Sequence, residues 1–340
     1  MPRARPNRDI AARAARRYGV DDPELTPLTG GHFADVYAFT KEGVECVLRV
    51  IPPNDEIDAR AAEAILEWMG HLAEHGGSVT RPVRSENGAY IEVIEDGSST
   101  YTATVCEKAK GVLAERLPAD AWTDALSEEL GRTTGRIHAI ARTYTPVNDS
   151  FRRPAWDEIG NCFHPIESLD ESRGGVRARL EEVMDRVSAF PRTEEGYGLI
   201  HADLHGGNFF VDVERGAITV FDFDDCCYGW YAMDVAMALF DTLVVYPRSD
   251  EPASARAFMR AYVAGYKRER HLSNFWIERI PDFLKLLEIG VYTMVRRQHD
   301  PSDTESWIGK FMPNRKERIE RGVPYVDVPF GEILDAKDEP

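Results

Sequence analysis

The sequence predicts an α+β fold with two lobes, a small β-rich N-terminal lobe and a larger helical C-terminal lobe. Between residues 28 and 106 the apolar residues mostly follow the two-residue period of strands, and after Gly111 they follow the period of helices. With 340 residues, of which 43% are hydrophobic, the chain can bury the cores of about two domains. We expect a helical or flexible segment over 1–24, an N-lobe over 25–110 and a C-lobe over 111–340.

The N-lobe elements follow from local patterns of apolar residues and turn formers. Pro52 and Pro53 end one strand, and apolar residues at helical spacing then continue to a glycine, a common residue just beyond a helix end. The predicted elements are a strand–glycine turn–strand unit over 29–39, a strand over 45–50, a helix from 54 or 55 to 76, and strands near 89–94 and 100–107.

The C-lobe pattern is helical. One long apolar stripe recurs at helical spacing, formed by Trp122, Leu126, Leu130, Ile137 and Ala141. Further helices are expected over 176–189, 230–246, 252–270 and 282–297, the last restarting after Pro281.

One segment, residues 199–225, combines the pattern H-x-D-x-x-x-x-N with a predicted β-hairpin. Apolar strands flank the turn residues 214–216. Asn208 lies seven residues before Arg215 and Asp222 seven after it, so a hairpin brings these two side chains to the same end of its ladder. Asp203 lies five residues before Asn208, in a glycine-containing loop that can curl beside them.

These residue types suit phosphoryl transfer. A carboxylate with a carboxamide suits Mg²⁺, which takes few protein oxygens and shares the rest with phosphates and water. Asp203 is then the carboxylate that orients an attacking hydroxyl and accepts its proton late, although a pKa of about 3.9 in water makes it a weak base. Asp224 and Asp225 crowd Asp222 and favour a divalent cation there, and the alternative is that one of them caps the next helix. The alternative is that Asp203, Asn208 and Asp222 are turn formers beside two strands.

Two N-lobe features fit a phosphate site. Gly30 and Gly31 are either a tight turn or a loop whose backbone covers phosphates. Arg49, on the third strand, is either a cation for the α- and β-phosphates or an ordinary solvent-facing charge. Glu63 and Glu67 on the following helix are candidates to orient Arg49, and a solvated helix face is the alternative for both.

The remaining polar residues of the motif support the loop. His201 and His205 are four residues apart, but the glycines between them and Asn208 disfavour a helical zinc pair. We expect His201 to brace the loop by hydrogen bonding. For His205 the sequence leaves two roles open, contact with a phosphate or contact with the substrate. Asp234 begins an otherwise apolar helix, so we expect its carboxylate to accept backbone N–H groups of the loop.

With these residues identified, the chain resembles the aminoglycoside phosphotransferase/choline kinase-like superfamily, relatives of protein kinases. The resemblance spans about residues 25–300 and rests on HADLHGGN, on FDFDD-x-x-x-G-x-x-x-x-DVA and on Arg136-Ile-His138. It implies a bilobal protein-kinase-like fold with ATP and Mg²⁺ as cofactors.

The resemblance also implies roles for single residues. By their positions in the motifs, Asp203 is similar to the catalytic aspartate, Asn208 and Asp222 to the Mg²⁺ ligands, and Asp234 to the buried loop anchor. Arg49 stands where a lysine is usual. Residues 105–108 resemble the hinge, where the Glu107 backbone would contact adenine.

Composition narrows the function classes. The formal net charge of −17 disfavours nucleic acid and anionic membranes as partners, because phosphate backbones repel it, but tolerates a cationic small molecule. No apolar run reaches the length of a membrane span. The cysteines, Cys46, Cys106, Cys162, Cys226 and Cys227, have no zinc spacing and suit a reducing cytoplasm.

The favoured function is an ATP- and Mg²⁺-dependent kinase that phosphorylates a hydroxyl of a small molecule, either an antibiotic, as in antibiotic resistance, or a metabolite. A protein serine/threonine kinase ranks lower, because Asp234 follows Asp222 by only twelve positions, which leaves little room for an activation loop. Two further candidate functions are a non-catalytic nucleotide-binding protein and a metal-dependent hydrolase using His201, Asp203 and Asp222. The sequence leaves open the acceptor, ATP against GTP, and the oligomeric state.

Overall fold

The computed structural model describes residues 8–28, 34–52, 59–158, 174–245, 251–298 and 306–333. The chain divides into two compact units. The first comprises the chain up to Lys110 with the segments Tyr144–Arg153 and Thr219–Asp224, and the second comprises Gly111–Thr143, Pro154–Ile218 and the chain from Asp225 onward. The N-terminal region is built on a β-sheet and the C-terminal region is mainly helical, so the predicted α+β class is confirmed.

The first unit contains an antiparallel sheet in the order β1–β2–β3–β5–β4. Its strands are β1 (Thr26–Leu28), β2 (Asp35–Lys41), β3 (Val44–Ile51), β4 (Ile91–Asp96) and β5 (Ser99–Glu107). Glu42 and Gly43 join β2 to β3 with φ of 50° and 82°, the left-handed pair that two-residue hairpin turns require. Arg49 lies on β3 between Val36 of β2 and Thr104 of β5.

A helix near the N-terminus packs against this sheet. This helix, α1 (Arg8–Arg17), buries a face of small residues that includes Ala11, Ala14 and Ala15. The Tyr18 side chain follows and is fully buried in the same core. α1 lies within the segment over 1–24 that was expected to be helical or flexible. Its small alanine side chains let the helix backbone approach the sheet.

A segment distant in sequence completes the first unit. Glu67, on α2 (Ala59–Glu74), accepts a hydrogen bond from the Tyr144 hydroxyl and another from the Val147 N–H at 3.4 Å. The Tyr144 ring packs against Trp68 with 4.6 Å between ring centroids. These contacts attach Tyr144–Arg153 to α2.

The second unit is mainly helical. Its helices are α3 (Asp124–Ala141), α4 (Gly174–Ser188), α5 (Tyr231–Val245), α6 (Glu251–Lys267), α7 (Asn274–Ile277), α8 (Ile280–Gln298), α9 (Trp307–Phe311) and α10 (Arg315–Glu320). α3 and α6 can pack closely because Gly131 has no side chain. A Cβ at this position would lie only 1.9 Å from the Tyr262 carbonyl oxygen. The long helices lie where the sequence predicts them, except that α8 begins at Ile280. Pro281 is therefore in its first turn, where a missing N–H costs nothing.

Two smaller sheets are formed by short strands. β7 (Tyr197–Ile200) pairs antiparallel with β10 (Cys227–Trp230). A second small sheet has the order β6 (Val112–Leu113), β8 (Phe209–Asp212), β9 (Ala217–Val220). The turn between β8 and β9 ends at Gly216 with φ of 64°, so the predicted hairpin is present. In the described part of the chain, no helix is both long enough and apolar enough to cross a membrane.

Tyr18 provides a stability test of the α1 packing. Its buried hydroxyl lies 2.8 Å from the Tyr90 carbonyl oxygen and 2.9 Å from that of Ala103. We expect Tyr18→Phe to lower the free energy of unfolding by about 1–2 kcal/mol, because buried acceptors lose their donor. Urea unfolding measures this. Tyr101→Phe is the control, since the Tyr101 hydroxyl has no hydrogen-bond partner among the described residues; equal effects of the two variants would contradict the assignment.

Candidate active site

The loop that carries Asp203 follows β7 and is held by a buried carboxylate. The backbone N–H groups of His201 and Ala202 donate to the two oxygens of Asp234, at 2.9 and 2.8 Å. Asp234 lies in the first turn of α5 and is 1% exposed. His138 of α3 contributes a further bond, from Nε2 to Asp234 Oδ2 at 3.0 Å.

The charge of Asp234 is compensated by these donors. Burial alone raises the pKa of the Asp234 carboxyl, but the hydrogen bonds from His138 and from the His201 N–H bring it below its usual value. Burial lowers the pKa of His138, so the ring is neutral near pH 7. Its Nδ1 faces the Tyr266 hydroxyl at 2.9 Å, which leaves Nε2 as the nitrogen that donates to Asp234.

Ala202 turns the chain sharply. Its φ of 69° lies in the left-handed region that alanine rarely occupies. Such strain persists only where neighbouring contacts hold it, and here the Asp234 bonds hold both His201 and Ala202. His201 also braces the turn, because its Nδ1 accepts the Asp203 N–H at 3.2 Å.

Asp203 and Asn208 are joined by hydrogen bonds. The Asn208 amide nitrogen donates to the Asp203 carbonyl oxygen at 2.8 Å and to Asp203 Oδ2 at 2.9 Å. Asn208 is 5% exposed, whereas the Asp203 side chain is 33% exposed. Because the amide nitrogen makes both donations, Oδ1 of Asn208 is the atom that can ligate a cation.

His205 lies beside this pair. Its Nε2 is 3.3 Å from Asp203 Oδ2, and its Nδ1 accepts the Gly207 N–H at 3.0 Å. Burial raises the pKa of Asp203, but the hydrogen bonds from His205 and Asn208 help to hold it below its usual value. Asp203 is therefore ionised at neutral pH. Among the described residues, no group of three or more His, Cys, Asp and Glu side chains is arranged to hold a metal ion.

A second cluster belongs to the first unit and centres on Arg49. The guanidinium forms two bonds with the Asp224 carboxylate, at 3.2 and 2.7 Å, and lies 3.6 Å from Asp222 Oδ1. Arg153 donates to the Asp224 carbonyl oxygen at 2.9 Å. Burial lowers the pKa of Arg49, but the Asp224 charge raises it above its usual value. Asp222 has φ of 62°, a second strained position.

The other residues predicted to contact the nucleotide are Glu63 or Glu67, Glu107, Gly30 and Gly31. In the described part of the chain, neither Glu63 nor Glu67 forms an ion pair with Arg49, and Asp224 takes that place. The Glu107 N–H is donated to the Arg81 carbonyl oxygen at 2.8 Å and is thus already engaged. Gly30 and Gly31 lie outside the described residues. The roles of Glu63 and Glu107 stay predictions.

Sequence reasoning missed several supporting residues. Tyr266 and the pairing of Arg49 with Asp224 were not predicted, and His138 entered only through its motif. A buried carboxylate demands donors, so a histidine on a predicted apolar helix was a usable signal for His138. Nothing local marks Tyr266, which lies 128 residues from His138.

Comparisons with known proteins agree with this site. The profile of the phosphotransferase enzyme family matches residues 24–272. The chain is similar to amicoumacin kinase of Bacillus subtilis (strain 168), with 31% identity over 96% of this chain and 95% of that protein. It is also similar to homoserine kinase of Gluconobacter oxydans (strain 621H), with 29% identity over 64% of this chain and 65% of that protein.

Solved structures give the same result. A structure of amicoumacin kinase in complex with AMP-PNP, Ca²⁺ and Ami superimposes with a TM-score of 0.86 at 28% identity, over 96% of this chain and 97% of that one. A spectinomycin phosphotransferase superimposes with a TM-score of 0.60 at 16% identity, over 99% of each chain, which shows the fold alone. The predicted kinase-like fold is confirmed, and the named relatives are small-molecule kinases.

The Asp234 contacts generate a stability prediction. We expect Asp234→Ala to lower the free energy of unfolding by about 3 kcal/mol or more, because two backbone N–H groups and His138 lose a charged acceptor in a buried place. Urea unfolding measures this. Asp282→Ala is the control: Asp282 accepts a surface bond from Arg186 at 2.9 Å, worth about 1 kcal/mol or less. If both variants were equally stable, the compensation described for Asp234 would be wrong.

Proposed function

Because this chain belongs to the phosphotransferase enzyme family, we propose that it is an ATP- and Mg²⁺-dependent kinase that transfers the γ-phosphate to a hydroxyl group of a small molecule. The observation that carries the proposal is the Asp203–Asn208 pair. It combines an ionised, partly exposed carboxylate with a carboxamide whose oxygen can ligate a cation. Phosphoryl transfer needs both groups.

Asp203 is the proposed catalytic residue. Its carboxylate would accept a hydrogen bond from the acceptor hydroxyl and orient the oxygen toward the γ-phosphorus. It would take the proton as the new P–O bond forms and the bond from the γ-phosphorus to the bridging oxygen breaks, which releases ADP. In a loose transition state the proton leaves late, so an aspartate with a low pKa is adequate. The bond from Asn208 keeps the second carboxylate oxygen in place.

The residues present fit a magnesium nucleotide. Asn208 Oδ1 and the Asp222 carboxylate are hard oxygen donors of the kind Mg²⁺ prefers, and Mg²⁺ would neutralise charge on the β- and γ-phosphates. Arg49 would contact the phosphates, exchanging part of its pairing with Asp224 for them. Gly30, Gly31 and the Glu107 backbone are the further proposed nucleotide contacts, and the AMP-PNP and Ca²⁺ of the similar structure support a nucleotide with a divalent ion.

The acceptor is proposed to be a hydroxylated small molecule that also carries an amine. Homoserine, named for one of the similar kinases, has both a hydroxyl and an amine. Amicoumacin is the first acceptor to test, since its kinase matches the chain over nearly its whole length. The acidic balance of the chain suits a cationic acceptor.

A protein substrate fits less well. Between Asp225 and Asp234 the chain forms β10 and passes directly into α5. A peptide-docking loop of the protein-kinase kind has no room in this interval.

Nucleotide-dependent turnover tests the proposal. ADP formation is measured with Mg-ATP and, separately, amicoumacin, homoserine, spectinomycin and a generic protein substrate. We expect one small molecule to stimulate ADP formation, and Asp203→Asn to lower kcat by about 100-fold or more, because the proton acceptor is lost. Asp282→Asn is the matched control. Full activity of Asp203→Asn would refute the assignment of Asp203 as the catalytic residue. Stimulation of ADP formation by the generic protein substrate, and by none of the small molecules, would refute the small-molecule acceptor.

Arg49 has its own test. We expect Arg49→Ala to raise the KM for ATP about tenfold, equivalent to about 1.4 kcal/mol, because a phosphate contact is lost. Arg49→Lys is expected to have a KM for ATP between those of the wild type and Arg49→Ala, since an ammonium cannot form the two parallel hydrogen bonds of the guanidinium. Lys41→Ala, at the end of β2, is the control. An unchanged KM in Arg49→Ala would place Arg49 outside the nucleotide site.

A further inference from the structure

A second aspartate of α5 contacts the loop on the other side of Asp203. Asp241 Oδ2 accepts the backbone N–H of Gly206 at 2.8 Å. Gly206 follows Asp203 by three residues and precedes Asn208 by two. Asp241 therefore bonds the part of the loop that links the proposed proton acceptor to the proposed cation ligand.

Asp234 and Asp241 are the only charged residues of α5. They are seven residues apart, which is close to two helical turns, so both project from the same side of the helix about 10 Å apart along its axis. Asp234 holds the backbone just before Asp203, and Asp241 holds it just after. One rigid, buried helix thus fixes the loop at two points that bracket Asp203.

The Gly206 peptide is also held from its other side. Its carbonyl oxygen accepts the Glu115 N–H at 2.8 Å. A Cβ on Gly206 would lie 3.2 Å from the Glu115 nitrogen and 3.3 Å from Asp241 Oδ2, tighter than ordinary contacts, so a larger residue would loosen this arrangement. The peptide is fitted closely between α5 and the backbone at Glu115.

The position of Gly206 is transmitted to Asn208 through the turn that follows. The Asn208 N–H donates to the His205 carbonyl oxygen at 2.8 Å, and the Gly207 N–H donates to His205 Nδ1 at 3.0 Å. Asn208 then bonds the Asp203 carboxylate. A displacement of Gly206 would therefore change the separation of the two groups that phosphoryl transfer needs.

We propose that Asp241 is a positioning residue that acts through the Gly206 backbone to set the geometry of Asp203 and Asn208. The inference rests on the proposed kinase function for its effect on turnover, but the Gly206 hydrogen bond can be tested without it. The rival role for Asp241 is direct binding of an acceptor ammonium by its charge.

The test compares Asp241→Ala with Asp241→Asn. Asparagine keeps an oxygen that can accept the Gly206 N–H but removes the charge, whereas alanine removes both. Asp282→Ala is the control for loss of a carboxylate elsewhere in the second unit. kcat and KM are measured with the acceptor that the wild-type protein phosphorylates and are normalised to folded protein. Hydrogen exchange of the Gly206 amide is followed by NMR.

We expect Asp241→Ala to lower kcat by about 10- to 100-fold with the acceptor KM within about twofold, because misplaced groups slow the chemical step. The Gly206 amide should exchange about fivefold faster or more in this variant. Asp241→Asn should stay within about threefold of the wild type in kcat, since the hydrogen bond persists.

Several results would overturn the proposal. One is a kcat in Asp241→Ala equal to that of the wild type. Another is equal impairment of both variants with a raised acceptor KM, which would assign Asp241 to acceptor binding. If Asp241→Ala does not fold, the kcat of Asp241→Asn and the exchange rate of the Gly206 amide in the wild type test the proposal. An unprotected Gly206 amide in the wild type would refute the hydrogen bond. An inactive wild type would refute the kinase proposal instead, and the amide exchange would then decide the role of Asp241.

Discussion

The buried carboxylate of Asp234 is the interaction on which the rest of the candidate site depends. An ionised carboxylate removed from water costs several kcal/mol unless donors surround it, and here two backbone N–H groups and His138 do so. The same bonds hold Ala202 in a left-handed conformation that an alanine would otherwise leave. The same hydrogen bonds therefore compensate the charge of Asp234 and fix the bend before Asp203.

The bend before Asp203 leads into the loop that brings Asp203, Asn208 and His205 together. The loop returns so that the amide of Asn208 meets the Asp203 carboxylate, and His205 stabilises the charged form of that carboxylate. In the first unit, the strand residue Arg49 is paired with Asp224. This pairing leaves neither the guanidinium nor the carboxylate with an uncompensated charge. Membership of a phosphotransferase family agrees with both clusters.

Patterns within a few residues were predictable from the sequence, whereas contacts over long separations were not. The hairpin around Arg215 and the long helices have strong local periodicity, so they were found. The strand β7 has only four residues and no alternation, and β10 is as short. The alanine face of α1 gave a weak apolar signal although it packs tightly against the sheet.

The site shows the same division. Asp203 and Asn208 share one short motif, so their grouping could be inferred from spacing, and the contact of Asp234 with the loop was expected because a buried carboxylate needs donors. The partner of Arg49 was expected on the nearby helix, but Glu67 bonds Tyr144 instead, and Asp224 lies 175 residues away in sequence. Asp241 was missed although an isolated acid two turns after Asp234, in an apolar helix, was a usable signal.

Amide hydrogen exchange at His201 and Ala202 tests most directly whether Asp234 holds the loop. If the account is right, both amides exchange only through global unfolding, and their exchange free energy equals the unfolding free energy from urea titration. Exchange of either amide at the rate of an open surface loop, in a protein that is otherwise fully folded, would contradict it.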